Sequence, residues 1–375
     1  MTDKLRPTRI LHITFNMGIG GTEQVIRQLV STLAATDYEN RILCIDGRVG
    51  EIGQQLRLDG IKVTSLQRKS GFDWDLVRGI REQIRSYGAT VVHCHQYTPW
   101  VYGWLASLGT GAKIVFTEHG RFYPDRYRYK AILINPLMAL LTSKIIAISS
   151  ATKQALSRYE FIPGPKIRVI YNGIKSLSRD QNAADELRHS LAIADSDFVM
   201  GTVARLDPVK NQAMMLEAFA MVLANNPGCW LLMVGDGPER KALEQQAYDL
   251  NIAHRVVFTG FIEAPVNHLA AMDLFLLSSN TEGTSMTLLE GMSLGLPTVA
   301  TRAGGTPEIV VQNETGLLTP VGDANEFANA IKSMIADEAL RTRLGVESRQ
   351  VFERRFSAVS MATAYCQLYA GKSNV

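Results

Sequence analysis

Two cations stand five positions apart in the stretch "VARLDPVKNQ" (203–212): Arg205 closes an apolar run, and Lys210 precedes an amphipathic one, with Pro208 in the turn between them. Such a turn lets both side chains converge on one point. Two fixed cations can neutralise a leaving diphosphate without a metal ion. Two carboxylates follow in "SSNTEGTSMTLLEGMSLGLPTVAT" (278–301). Glu282 comes directly after an apolar run, "GTS" supplies a turn and a helix cap, and Glu290 falls inside the helix. Each carboxylate oxygen accepts hydrogen bonds, which suits sugar or ribose hydroxyls. The backbone N–H groups of Gly283, Thr284, Ser285 and Met286 are placed to take phosphate oxygens. Plainer readings stand beside these: surface ion-pairing cations, a helix-dipole carboxylate and a glutamate at the edge of the core. A glycosidase-like acid–base pair is a further reading of the two glutamates. The Arg/Lys pair argues against it, because a glycoside hydrolase has no diphosphate to hold.

A glycine cluster, "MGIGGTEQ" (17–24), follows the apolar run "ILHITF". A dinucleotide fingerprint would need a third glycine where Glu23 stands, and a phosphate-binding P-loop would need Lys-Ser/Thr after Gly21, where Thr22-Glu23 stands. What stands is a glycine turn opening a helix at Thr22. Its free N–H groups either favour an anion or merely close a tight strand-to-helix turn. "HCH" (93–95) places His93 and His95 on one face of a strand, but the sequence offers no further ligand cluster, so no metal site is expected. Cys44, Cys94, Cys229 and Cys366 have no paired spacing, which excludes a zinc ribbon, a CxxC redox site and a disulfide framework.

These residues need a scaffold that presents them at strand ends. Apolar runs at 10–15, 41–45, 91–95, 113–119, 144–149 and 167–174 form one β-rich series, and runs at 198–205, 230–237, 255–261, 274–279 and 296–301 form a second. Helical segments such as 22–35 and 211–226 lie between them. Strands apolar from end to end, alternating with helices, predict parallel sheets covered on both faces. A length of 375 residues suits two such domains, with the boundary in the polar stretch 176–188 and a last helix within 353–371. A composition of 46% apolar and 20% charged residues is that of a soluble globular chain, and a net charge of +3 gives no argument for nucleic acid. The N-terminus has no apolar core of signal-peptide length, and "AILINPLMALL" (131–141) is too short to span a bilayer. A cytoplasmic protein is expected.

The spacing of Glu282 and Glu290, followed by "GMSLGLPTVAT" and "GGTPEIV", resembles the C-terminal signature of glycosyltransferase family 4. Arg205 and Lys210 in "ARLDPVKN" match that family's diphosphate-binding pair, and "GIGGTEQ", "FTEHG" and "YNGI" match its N-terminal landmarks. The ordered set covers nearly the whole chain. The resemblance implies the GT-B architecture: two Rossmann-like, doubly wound parallel-sheet domains facing a cleft. These are an acceptor-side domain at 1–176 and a nucleotide-sugar domain at 177–354, with the last helix, about 355–375, crossing back to the first domain. It also implies sugar transfer with retention of anomeric configuration and no metal or other cofactor. By this similarity Glu282 holds hydroxyls of the donor sugar, Glu290 holds the ribose, and Arg205 and Lys210 stabilise the diphosphate. Gly283, Thr284, Ser285 and Met286 offer backbone contacts, Gly20 and Gly21 line the opposite wall, and His119 approaches the donor sugar. Gly235, Phe261 and Ile262 fall with the donor-binding set. Two departures stand out. "NGIKS" lacks the aspartate that often follows "YNG", and "GTSMTLLE" replaces the commoner Gly-Phe/Leu-Pro pattern, so donor-sugar preference does not carry over.

On the acceptor side, "RFYPDRYRYKAILINPLMALLTSK" (121–144) alternates Arg121, Arg126, Arg128 and Lys130 with Phe122, Tyr123, Tyr127 and Tyr129, ahead of an apolar segment. This pattern suits a membrane interface or a phosphorylated lipid, sugar stacking, or an ordinary helix with a solvated basic edge. The expectation drawn from it is a glycan or polyprenyl-linked acceptor met at the inner face of the cell membrane. Arg121, Tyr123, Arg126, Arg128 and Lys130 make the contact. A UDP-sugar is the favoured donor over a GDP-sugar. An epimerase of the same twin-Rossmann architecture is the rival reading, and a non-catalytic scaffold is another.

Overall fold

The computed structural model describes residues 7–120 and 127–371. The chain divides into two compact units, residues 1–173 with 358–375, and residues 174–357. Each is built on one parallel sheet.

The first unit has seven strands: β1 (Thr8–Thr14), β2 (Tyr38–Cys44), β3 (Lys62–Ser65), β4 (Val91–His95), β5 (Lys113–Glu118), β6 (Lys144–Ala147) and β7 (Ile167–Val169), in the order β3-β2-β1-β4-β5-β6-β7. The order reverses between β1 and β4, which pair in register Ile10↔Val91 to Ile13↔Cys94. Loops leaving the carboxyl ends of those two strands therefore diverge to opposite faces and leave a crevice for a ligand. The strands are apolar along their length because both faces are covered: Leu11, Ile13, Val92, Cys94 and Phe116 sit in one buried cluster, and Ile42, Cys44 and Val63 in another. Helix Gly21–Leu33 buries Val25, Ile26, Leu29, Val30 and Leu33, one stripe at helical spacing.

The second unit has six strands: β8 (Phe198–Val203), β9 (Cys229–Val234), β10 (Val256–Gly260), β11 (Leu274–Leu277), β12 (Thr298–Thr301) and β13 (Gly316–Thr319), in the order β10-β9-β8-β11-β12-β13. Its reversal falls between β8 and β11. Met200, Leu231, Met233, Leu274 and Leu276 of the sheet pack with Phe219, Phe327 and Ile331 of the helices as the core.

Three details differ from the sequence reading. Two edge strands, β3 and β13, carry no apolar run long enough to announce them. The run at 167–174 is strand only as far as Val169. The tail is not one helix from 353 onward. A wide turn at Phe352–Phe356 belongs to the second unit, Ser357 is extended at φ −73°, ψ 152°, and helix Ala358–Tyr369 belongs to the first. An extended residue cannot carry helical hydrogen bonding, and this one instead pairs with Ile174, whose N–H donates to the Phe356 carbonyl at 3.0 Å. The helix at 358–369 is tied to the sheet by Tyr369, whose hydroxyl lies 2.7 Å from His93 Nδ1, and by Tyr365, whose hydroxyl lies 3.0 Å from Thr117 Oγ1.

Candidate functional site

In the second unit the carboxyl ends of β8 and β11 lie side by side, and the sequence-selected residues follow each strand directly. After β8 the chain runs through Arg205 into the short turn Pro208–Lys210. Asp207 caps that turn by accepting from the Val209 N–H at 2.8 Å. The backbone of both cations is pinned: Gln212 Nε2 donates to the Arg205 carbonyl at 2.9 Å, and Ser278 Oγ to the Lys210 carbonyl at 2.8 Å. The two side chains have different surroundings. Lys210 Nζ meets Glu282 Oε1 at 2.5 Å. Arg205 is exposed and forms no ion pair among the described residues. A guanidinium held at its backbone but unpaired at its tip is available for a multivalent anion.

Glu282 is itself set in place. Ser279 Oγ donates to Oε1 at 2.6 Å, Thr301 Oγ1 holds the Ser279 carbonyl at 2.6 Å, and the Gly305 N–H donates to the Glu282 carbonyl at 2.9 Å. Gly304 stands at φ +50°, and a Cβ there would come within 2.0 Å of the Glu282 carbonyl oxygen, so only glycine lets the "AGG" turn close on the carboxylate loop. Gly235, at φ +140°, does the same for the turn after β9. Its Cβ position is 2.0 Å from the Ala204 carbonyl oxygen, beside Arg205.

Glu290 lies in helix Met286–Ser293, whose first turn is capped by Ser285 Oγ accepting from the Leu288 N–H at 3.3 Å. Ser285 thus spends its hydroxyl on the helix. Glu290 Oε2 is buried with no hydrogen-bond partner among the described residues. Burial pushes its carboxyl up to about 7. A buried acceptor left unmet costs about 1–3 kcal/mol, so it marks a place where a ligand's hydroxyl is wanted. Phe261 is exposed and Ile262 half-buried just beyond β10.

In the first unit, the loop after β1 is held by Asn16, whose Nδ2 donates to Asp46 Oδ2 at 2.6 Å and whose Oδ1 accepts from the Gly18 N–H at 2.9 Å. Gly20 precedes helix Gly21–Leu33 and gives it no side-chain cap. A Cβ on Gly21 would meet nothing within 4 Å, so the space over this helix start is open. After β4, Gln96 has φ +73°, a left-handed conformation at a non-glycine residue, and its Nε2 donates to Thr22 Oγ1 at 3.4 Å.

The histidines form a group that the sequence only half shows. His93 and His95 of β4 are joined by His12 of β1, which the register places beside His93. One ring nitrogen of each lies within 4.8 Å of the other two. The sequence reading, which saw no further ligand cluster, is corrected here, since His12 is hidden inside "ILHITF". Even so, each ring nitrogen of these three has a partner: His12 with Asn40 (3.1 Å) and His95 (3.0 Å), His93 with Tyr369 and Thr117, and His95 with His119 (2.9 Å). Rings whose lone pairs and protons are all engaged do not make an open metal site. His119 Nδ1 ends the chain, buried and without a partner.

Of the acceptor-side residues, Arg121, Tyr123 and Arg126 lie outside the described residues, as does the side chain of Lys130. Arg128 pairs with buried Glu160 at 2.9 Å and lies 3.8 Å from the Tyr97 ring centroid. Its charge is therefore engaged within the unit. Among the described residues that follow, the exposed side chains are largely apolar. Leu133 and Leu140 are 83% and 69% exposed, with Ile132, Ile134, Leu137 and Leu141 also open around helix Ile134–Leu141. No helix among the described residues is long and apolar enough to cross a membrane.

Comparison with known proteins places both units. Residues 19–176 match the model of Glycosyltransferase Family 4, and residues 183–351 match that of Glycosyl transferases group 1. The chain is 25% identical over 366 residues to N-acetyl-alpha-D-glucosaminyl L-malate synthase of Bacillus anthracis, covering 95% of each. It is 37% identical over 179 residues to the lipopolysaccharide core biosynthesis glycosyltransferase LpsE of Rhizobium meliloti, covering 48% of this chain and 51% of that one. Its fold matches the crystal structure of HepE of Anabaena in complex with UDP, with a TM-score of 0.86 at 24% identity over 97% of this chain and all of the other (100%).

Proposed function

Because the chain belongs to glycosyltransferase family 4, with the GT-B fold, and acts as a glycosyltransferase, we propose that it moves a hexose from a UDP-sugar to a glycan or lipid-linked acceptor, with retention and without a metal ion. The observation that carries this reading is the edge formed by β8 and β11. There an unpaired guanidinium, a lysine held by a carboxylate and a buried acceptor without a partner follow one another within a single unit.

The diphosphate is assigned to Arg205 and Lys210. As the bond from the anomeric carbon to phosphate oxygen breaks, negative charge grows on the β-phosphate, and both cations stabilise it. The acceptor hydroxyl attacks from the face the phosphate leaves, and its proton passes to the departing phosphate oxygen, giving UDP and the glycoside. Glu282 takes donor-sugar hydroxyls and exchanges part of its contact with Lys210 for them. Glu290 Oε2 takes a ribose hydroxyl. The backbone at Gly283, Thr284, Ser285 and Met286 meets phosphate and sugar, while Gly235, Phe261 and Ile262 line the nucleotide. Gly20, Gly21 and His119 are assigned to the transferred sugar. The choice of UDP is supported by HepE, a fold relative solved with UDP. The choice of a surface-polysaccharide or glycolipid acceptor is supported by LpsE. Nothing favours the epimerase reading.

The exposed leucines and isoleucines at 132–141 are the membrane-contacting surface in this proposal, beside the basic stretch that precedes them in sequence. A thermal-shift screen of UDP- and GDP-sugars tests the donor, because any true donor raises the melting temperature by mass action. Product analysis then reads the anomeric configuration. No shift with any UDP-sugar, or an inverted product, overturns the reading.

A further inference from the structure

Asn40, His12, His95 and His119 form one line of hydrogen bonds, running from the start of the sheet's β2 strand to the end of β5. Asn40 Oδ1 lies 3.1 Å from His12 Nε2, His12 Nδ1 lies 3.0 Å from His95 Nε2, and His95 Nδ1 lies 2.9 Å from His119 Nε2. The line has a direction. Asn40 Nδ2 donates to the Tyr38 carbonyl at 3.3 Å, so the oxygen of that amide is the atom facing His12. An oxygen only accepts, so His12 carries its proton on Nε2. A neutral imidazole has one proton, which leaves His12 Nδ1 as an acceptor. His95 must then donate from Nε2 and accept at Nδ1, and His119 must donate from Nε2. Burial holds the rings neutral: it lowers His12 to about 4 and His119 to about 3, and keeps His95 well below the ordinary imidazole range. His93 stands outside the line, satisfied by Tyr369 and Thr117.

Resting on the donor reading above, we propose that His12 and His95, anchored by Asn40, are positioning residues that fix His119 with a bare lone pair on Nδ1, so that it accepts from one hydroxyl of the transferred sugar and selects donors that carry that hydroxyl. The buried, unpartnered Nδ1 of His119 is the end the line creates. A site of this kind accepts O–H and rejects a hydrogen or a carboxylate in the same place, because only a donor relieves the unmet acceptor. Each bond in the line polarises the next, so the preference is set over four side chains.

The test has two arms on the full chain. In the first, nitrogen-15 NMR of the histidine-labelled protein without ligand reads which ring nitrogen of His119 is protonated. The proposal expects a bare Nδ1 and a protonated Nε2, and the same in His95→Gln, whose amide can donate to His12 and accept from His119. In His95→Leu and in Asn40→Leu the preference is expected to be lost. A protonated Nδ1 in the wild type overturns the proposal whatever the donor is. In the second arm, UDP-glucose or UDP-galactose, whichever raises the melting temperature, is compared with its monodeoxy analogues. One analogue is expected to lose about tenfold in kcat/KM in the wild type and in His95→Gln, and to lose almost nothing further in His95→Leu. An equal loss in His95→Leu overturns the proposal. If neither sugar raises the melting temperature, the donor assignment fails instead, and the NMR arm still decides the tautomer. Circular dichroism of each variant separates loss of fold from loss of the proton pattern.

Discussion

Lys210 Nζ rests on Glu282 Oε1, 2.5 Å away, at the place where the β8 and β11 strand ends meet. Ser278 Oγ, which donates to the Lys210 carbonyl, and Ser279 Oγ, which donates to Glu282 Oε1, hold the pair from both sides. Arg205, on the same turn, has no such partner among the described residues. The difference separates two substitutions that would otherwise look alike.

Arg205→Ala is expected to reduce transfer by about 10²- to 10³-fold, the scale of removing one preorganised charge from a developing anion, and to leave the melting temperature unchanged. Lys210→Ala should cost as much in activity and also lower stability by about 1–3 kcal/mol, because the side chain of Glu282 is only 8% exposed and loses its counter-charge. Steady-state kinetics beside thermal melts of both variants checks this. A destabilised Arg205→Ala would contradict it.

Glu290 predicts a pH effect whose sign follows from its raised pKa. In the free protein burial lifts the carboxyl to about 7 from its ordinary value of 4.5. The folded state therefore binds more protons than the unfolded one between those values, and stability contributed here falls as pH rises through that window, by up to about 3 kcal/mol. Glu290→Gln should raise the melting temperature at pH 8 and leave it little changed at pH 4. Donor binding has the opposite preference, since the carboxylate accepts a ribose hydroxyl more strongly than the neutral acid does. UDP affinity should thus weaken as pH falls below 7 in the wild type and lose that dependence in Glu290→Gln. Scanning calorimetry at pH 4 and 8 measures the first, and titration calorimetry with UDP at pH 6 and 8 measures the second.

Gly21 offers a substitution the fold should accept. It opens helix Gly21–Leu33, and an added methyl would touch nothing within 4 Å. Gly21→Ala should hold or slightly raise the melting temperature, by up to about 1 kcal/mol of helix propensity, while raising KM for the donor. An unchanged KM would remove the glycine loop from the donor site.

The apolar surface at 132–141 predicts that Leu133→Gln together with Leu140→Gln abolishes sedimentation with anionic liposomes at unaltered stability, since both side chains are largely exposed, at 83% and 69%. Arg128→Glu should behave differently. It breaks the 2.9 Å contact with buried Glu160 and lowers the melting temperature. Liposome binding that survives the double leucine variant would refute the membrane contact.

Much of this was legible in the residues. Strands buried on both faces read as unbroken apolar runs, so β1, β4, β8 and β11, which carry the crevices, were visible. The edge strands β3, "KVTS", and β13, "GLLT", were not, because each has four residues and β3 mixes polar with apolar positions. Arg205, Lys210, Glu282 and Glu290 stood out by spacing at strand and helix ends. The contact of Lys210 with Glu282 did not, since it joins loops 72 positions apart and depends on the pairing of β8 with β11. His12 was hidden for a similar reason. A single histidine in an apolar strand looks like core until the β1–β4 register sets it beside His93 and within hydrogen-bond reach of His95. Gln96 gave no signal, because its left-handed backbone is imposed by the turn into helix Tyr97–Ser107 and not by its residue type.

The claim on which the account rests is that two side chains after β8 take the place of a divalent ion at the nucleotide's diphosphate. Titration calorimetry of UDP in excess EDTA, against the wild type and the Arg205→Ala/Lys210→Ala double variant, tests it most directly. The account predicts metal-free binding to the wild type and a loss of about a hundredfold or more in the double variant. Binding that vanishes in EDTA, or that survives loss of both cations undiminished, would contradict it.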